Sequence, residues 1–229
     1  MSVVLNNKES TVLCVEGLTV DFDVKGKSVN ILSEISFDLR SGETLGIIGE
    51  SGCGKSMTAL ALLRMIPSPP GRITGGKVLL NNENLLTATK NRINSIRGKE
   101  ISMIFQEPMS SLNPVYTVGN QIVETIRRHK LISRHEALEE AVELLRMVQI
   151  PAPDRRINEY PHQLSGGMRQ RVMIAMALAC SPKVLIADEP TTALDVTVQA
   201  QIFDLLKEIQ EQNGTSIILI THDFSAVTE

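Results

Sequence analysis

Hydrophobic and polar positions alternate with two different periods along this chain. Leu13–Phe22 and Val29–Leu39 alternate apolar and polar residues on either side of Lys25-Gly26-Lys27, which predicts an antiparallel β layer. Thr44–Ile48 reads as a short buried strand running into glycines. Met57–Met65 then has helical spacing and is stopped by Pro67, Pro69, Pro70 and Gly71. Val78–Leu80 and Ile101–Phe105 are further strand-like runs. From about 107 to 164 the pattern turns helical, with Val118–Lys130 and Ser133–Val148 as the clearest pieces; Pro151 and Pro153 close the second. The longest apolar stretch, Val172–Ala179, reads as a buried helix. Val184–Ala187 is continuously apolar and ends in Asp188-Glu189-Pro190, as a strand covered on both faces would. Val198, Ile202, Leu205, Leu206 and Ile209 share one helical face, with Gly214 as the stop, and Ser216–Ile220 is a last buried strand leading to His222.

This alternation predicts an α/β fold with a mainly parallel core sheet, an N-terminal antiparallel β layer and an inserted helical subdomain. The expected organisation is one domain, with its core in 11–106 and 165–229 and the helical subdomain at about 107–164. At 229 residues, 42% hydrophobic and 21% charged, the chain is long enough to bury about 70% of its unfolded surface without covalent staples. A net charge of −3 argues against a general nucleic-acid grip. No apolar run reaches the length of a membrane span, and residues 1–10 are polar without the apolar stretch of a secretory signal. Cys14, Cys53 and Cys180 are odd in number and lack metal-type spacing, which suits a reducing compartment.

The chemistry begins at Gly49-Glu50-Ser51-Gly52-Cys53-Gly54-Lys55-Ser56, which satisfies G-x-x-x-x-G-K-[ST] between a predicted strand and the helix that opens toward Met57. Glycines at these positions let backbone N–H groups curl round phosphate oxygens at a helix N-terminus. Lys55 is placed to neutralise the β- and γ-phosphates, and the Ser56 hydroxyl to ligate Mg²⁺. Cys53 lies inside this loop, where oxidation or alkylation would obstruct a nucleotide. Asp188 and Glu189 end an apolar strand, so Asp188 is expected to hold Mg²⁺ through water and Glu189 to act as general base or to orient the attacking water. No N-K-x-D string for guanine is present, which favours ATP over GTP. Phe22 is placed either to stack on adenine or to pack in the core. His129, His135 and His162 have no comparable context, and Arg127, Arg128 and Lys130 read as a solvated basic face.

A second glycine-rich string, Leu164-Ser165-Gly166-Gly167-Met168, precedes a helical run and forms another candidate anion cradle. One chain does not need two cradles for one ATP. A head-to-tail pair, each second string capping the other chain's nucleotide, accounts for both.

Together these strings resemble the ABC importer ATPases of the dipeptide, oligopeptide and nickel family, including the glutathione importer subunit. The likeness runs from about Leu13 to the end and is carried by GESGCGKSMTALALLRM, MIFQEPMSSLNPVYTVGNQI, YPHQLSGGMRQRVMIAMALAC and VLIADEPTTALDVTVQAQI. The resemblance implies further roles. Gln106 sits at the Q-loop position, sensing γ-phosphate or Mg²⁺; His222 is the switch histidine; Ala193-Leu194-Asp195 is the D-loop crossing the dimer seam. Leu164–Met168 is the signature that contacts ATP in trans. It also implies a second ABC ATPase domain as partner, in a homodimer or a heterodimer. Membrane permease subunits would be contacted beside the Q-loop, and an external solute-binding protein would act indirectly. The expected setting is peripheral, on the cytoplasmic face of the inner membrane, powering uptake of peptides or a related solute. Members of that family continue beyond the point where this chain stops, seven residues past His222. The resemblance therefore also implies missing closing strands, an exposed sheet edge that lowers stability, and no C-terminal extension, which in some members carries an iron–sulfur centre. Two other functions stay open at this point: a nucleotide-binding fragment without turnover, and a non-transport ABC ATPase acting on DNA or ribosomes.

Overall fold

A computed structural model of the chain describes residues 11–106, 111–192 and 194–222. Residues 1–10, the start of the expected helical stretch at 107–110, Ala193 of the expected D-loop and the segment 223–229 lie outside the described residues.

The first sheet follows from the N-terminal alternation. Strands β1 (Thr11–Val24) and β2 (Lys27–Arg40) pair antiparallel across a two-residue turn at Lys25-Gly26. Both turn residues have positive φ (54° and 77°), the geometry whose twist matches a hairpin, and the Gly26 N–H donates to Asp23 Oδ1 at 2.9 Å. Strand β4 (Gly71–Leu80) joins β1 on its other side and carries the two-residue β5 (Glu83–Asn84), giving the order β2-β1-β4-β5. The sequence placed only Val78–Leu80 of β4, because Gly71–Lys77 holds three glycines and no apolar alternation.

The second sheet is parallel, in the order β3-β8-β7-β6, formed by β3 (Thr44–Ile48), β6 (Ile101–Ile104), β7 (Val184–Asp188) and β8 (Ser216–Thr221). Strand β7 is buried along its length between β6 and β8. Its side chains divide by the strand period. Leu185 and Ala187 belong to one apolar cluster with the helices; Val184 and Ile186 belong to the other, between the two sheets.

Helix α1 (Lys55–Leu62) opens directly from the first glycine-rich loop, and α2 (Lys90–Ile96), capped by Thr89, follows β5. Helix α2 escaped the sequence reading because only Ile93 and Ile96 of its seven residues are apolar and buried. In the helical stretch, α3 (Val118–His129) is capped by Thr117. Helix α4 (Arg134–Met147) starts with a capping box in which Ser133 and Glu136 bond each other's backbone N–H. The short α5 (Pro153–Arg156) and a 3₁₀ turn (Pro161–Gln163) lead to α6 (Gly166–Leu178), which packs on α3, α4 and β6. Buried Arg171 of α6 donates to the Val148 carbonyl at the end of α4 at 2.8 Å, tying the two helices together. Helix α7 (Val196–Asn213) ends at Gly214, whose φ of 64° terminates it in the left-handed conformation.

Backbone contact between α3 and the end of α5 leaves no room for a side chain at Gly119. Its N–H donates to the Ile157 carbonyl at 2.8 Å, and a Cβ there would stand 2.5 Å from Ile157 Cγ1 and 2.7 Å from that carbonyl oxygen. Gly119→Ala is therefore expected to cost about 1–3 kcal/mol, read as a lower urea midpoint with an unchanged slope.

Candidate nucleotide site

Parallel pairing of the second sheet brings four segments to one edge. The glycine-rich loop follows β3, Gln106 follows β6, Asp188 ends β7 with Glu189 next, and His222 follows β8. Open parallel sheets bind ligands outside the carboxyl ends of their strands. The sequence named all these residues, and the structure puts them together.

In the loop, Gly52 and Gly54 have φ of 83° and 98°, and Gly54 is the N-cap of α1. Space also restricts it: a Cβ at Gly54 would meet Leu32 Cδ2 at 2.7 Å, and one at Gly49 would meet Cys53 Sγ at 2.8 Å. Glu50, Ser51, Gly52 and Cys53 are exposed at the loop's tip, while Met57 packs against the inter-sheet core. Lys55 is 7% exposed, and its ammonium donates to the carbonyls of Gly49 (2.7 Å) and Glu50 (2.9 Å). A buried cation held by carbonyls rather than a carboxylate, at a helix N-terminus, is poised for an anion.

The far end of α1 is fastened by a residue the sequence reading passed over. Arg97 donates through Nε to the Leu63 carbonyl and through Nη2 to the Arg64 carbonyl, both at 2.8 Å, where the helix leaves carbonyls unpaired. Burial, with the Arg64 charge, lowers the Arg97 pKa from its ordinary value.

Two carboxylates in sequence serve different partners. The Ser56 hydroxyl donates to Asp188 Oδ1 at 3.0 Å, joining the loop to β7. Asp188 is 4% exposed, and burial pushes its carboxyl pKa above the ordinary 3.8; the Ser56 hydrogen bond opposes this, the Glu189 charge adds to it and the Lys55 charge opposes it. Glu189 has a φ of 45°, a left-handed conformation rare for a residue with a side chain, and its N–H is tied to the Ile220 carbonyl at 2.9 Å. Its Oε2 accepts from Gln106 Nε2 at 2.8 Å and from Thr192 Oγ1 at 3.1 Å, and lies 3.7 Å from His222 Nδ1. Thr192 went unassigned from sequence, because a threonine in a polar loop carries no distinguishing pattern. Ser56, Asp188 and Gln106 all offer oxygen, the donor type that Mg²⁺ takes, so the residues present fit that ion beside a nucleotide's phosphates.

The second glycine-rich string lies apart from this cluster. Ser165 is the N-cap of α6 and its Oγ accepts from the Met168 N–H at 3.3 Å; Leu164 is buried, and Met168 packs against the helical core. A Cβ at Gly166 would touch Leu194 at 3.5 Å, and one at Gly167 would press on Val198 at 2.8 Å. Asp195 caps α7, accepting from the Val198 N–H at 3.0 Å. Phe22 is partly buried in the inter-sheet cluster, its ring 2.8 Å from where a Cβ on Gly71 would be.

A strand-borne acidic pair, a phosphate cradle and a separate glycine string capping a helix define an ATP-binding cassette. The chain belongs to the ABC transporter family, whose model matches residues 32–192. It is 52% identical to a probable peptide ABC transporter ATP-binding protein of Sinorhizobium fredii, over 98% of this chain and 67% of the relative. It is 52% identical to the oligopeptide transport ATP-binding protein OppD of Bacillus subtilis, over 93% of this chain and 60% of the relative. Among solved structures it is similar to the dimeric bacterial ABC transporter cassette MJ0796, with a TM-score of 0.82 and 29% identity over 93% of this chain and 89% of that one. The chain thus spans about 60–67% of the length of these two curated relatives.

Burial of Asp188 sets a pH dependence. A folded-state pKa above the unfolded one means that the cost of the buried charge is absent below pH 3.8, grows as pH rises from 3.8 toward the raised value and is fully present above it. Asp188→Asn is expected to raise the melting temperature of the nucleotide-free chain at neutral pH, with the gain shrinking toward pH 3.8 in calorimetric scans.

Proposed function

We propose that this chain is the ATP-hydrolysing part of an importer for peptides or a related small solute. The observation that carries the reading is the convergence of Gln106, Thr192 and His222 on one oxygen of Glu189, beside an Asp188 already joined to the phosphate loop through Ser56. Lys55 leaves its two carbonyls for the β- and γ-phosphates, and Ser56, Asp188 and Gln106 would hold Mg²⁺, which would neutralise phosphate charge. Glu189 accepts the proton of the water that attacks the γ-phosphorus as the bond to the β-phosphate oxygen breaks. His222 and Gln106 trade their contacts with Glu189 for the γ-phosphate side, and Phe22 stacks on adenine.

Ser165 and the N–H groups of Gly166 and Gly167 lie on a different element from Lys55, which supports their use on a partner's nucleotide, with Asp195 at the seam. The solved relative bound to ADP and phosphate is likewise dimeric, in keeping with a working pair made with a second ABC ATPase domain. No described helix is long and apolar enough to cross a membrane. The relatives' names as transport ATP-binding proteins support permease subunits as the membrane path, with this chain on their cytoplasmic side. An apolar groove of about 480 Å³ beside Gln106, lined by Met103, Phe105, Thr125, Met173 and Met176, suits a permease helix. An external binding protein then delivers the solute, and peptide chemistry is carried by what the relatives' names say of them.

Two variants separate binding from turnover. Lys55→Ala is expected to abolish the rise in melting temperature that MgATP gives the parent chain. Glu189→Gln should keep that rise and lower steady-state phosphate release by at least about a hundredfold; unchanged release would remove Glu189 from the role of base. For the signature, Ser165→Arg is expected to leave the MgATP-induced shift of the monomer intact while abolishing nucleotide-dependent dimers in analytical ultracentrifugation.

A further inference from the structure

Among the described residues one buried side-chain polar atom has no hydrogen-bond partner, Nε2 of Gln170, in a residue 2% exposed. Its contrast is Gln121, the other buried glutamine. There Oε1 accepts from the Asn113 N–H, and Nε2 donates to the carbonyls of Asn113 and Tyr116. A buried amide left unpaired costs the desolvation of its N–H groups, so its presence calls for a physical reason.

Position supplies one. Gln170 lies in α6, five residues beyond the Ser165 cap. Its neighbours are both fastened: Arg169 Nε donates to the Pro161 carbonyl at 2.7 Å and Arg171 to the Val148 carbonyl at 2.8 Å. Gln170 falls three and seven residues before Met173 and Ala177, hence on their side of the helix. Those two line the groove shared with Met103 and Phe105 of the β6 segment. Helix α6 feeds β7 through a short loop and so runs antiparallel to β7 and its parallel neighbour β6. Moving from Ala177 back to Gln170 therefore leads toward the carboxyl end of β6, where Phe105 and Gln106 lie, and helical side chains lean further that way.

We infer that Gln170 is a positioning residue for the nucleotide-bound state. Its amide takes a main-chain carbonyl of Phe105 or Gln106 when the Gln106 side chain leaves Glu189 for the nucleotide. The unpaired donor raises the free energy of the nucleotide-free form and is satisfied on binding, so it biases α6, and with it the Ser165 cap, toward the bound arrangement. The inference rests on the nucleotide site proposed above.

The test compares the parent with Gln170→Met, which keeps side-chain length, and Gln170→Leu, which is one atom shorter; both remove the donor, and Gln121→Leu is the control for a paired amide. Without nucleotide, both Gln170 variants are expected to melt about 2–4 °C higher than the parent, whereas Gln121→Leu melts lower. The MgATP concentration giving the half-maximal thermal shift is expected to rise about five- to tenfold in both Gln170 variants. A higher melting temperature with unchanged MgATP dependence would overturn the inference, leaving only an orphan donor. So would a lower melting temperature or failure to fold in both variants, since the amide would then be bonded in the free form. A parent chain that shows no MgATP shift would overturn the nucleotide reading, and this inference with it; a normal parent shift therefore distinguishes the two failures.

Discussion

Parallel pairing of β7 between β6 and β8 is the constraint on which the site depends. It buries Val184–Asp188 on both faces and delivers three chain segments to the same edge in register, Ala187 beside Ile104 and Asp188 beside Ile220. The acidic pair is thus positioned by hydrophobic packing behind it together with the hydrogen bonds it makes. That explains how Asp188 tolerates burial that raises its pKa, and how Glu189 is held in a left-handed backbone conformation. A strand that slipped by one residue would exchange the two apolar clusters and reverse every side chain at its end.

Within that frame, the charged groups at the sheet edge are held by contacts made inside the chain. Lys55 rests on carbonyls, Glu189 gathers Gln106, Thr192 and His222, and the Nε2 of Gln170 has no hydrogen-bond partner among the described residues. The unpaired amide is costly where it stands, and under the proposed function the contacts of Lys55 and Glu189 are the ones that exchange when nucleotide binds. The second glycine-rich string lies on another element: a helix cap whose own hydrogen bond is local and whose glycines lie against Leu194 and Val198.

Much of this was legible in the sequence because the relevant signals are local. Glycines flanking a lysine, an apolar run ending in two acids, and helical spacing between a cap and Gly214 each report the conformation of their own residues. Signals that failed were those needing a partner elsewhere. Gly71–Lys77 looks like a loop until β1 pairs with it, α2 has too few apolar residues to show a period, and Arg97 gains meaning only from carbonyls over thirty residues away. Thr192 and Gln170 belong to the same class. Residue type and spacing named the candidate site; which oxygen of Glu189 its partners share, and which amide goes unpaired, depend on tertiary packing.

The most direct measurement of the central claim is a crystal structure of the Glu189→Gln chain with MgATP. The account predicts phosphates enclosed by residues 49–56 with Lys55 turned onto them, metal at Ser56, and Ser165 of a second copy on the γ-phosphate. Nucleotide bound away from that loop, or phosphates held with Lys55 still on the Gly49 and Glu50 carbonyls, would contradict it.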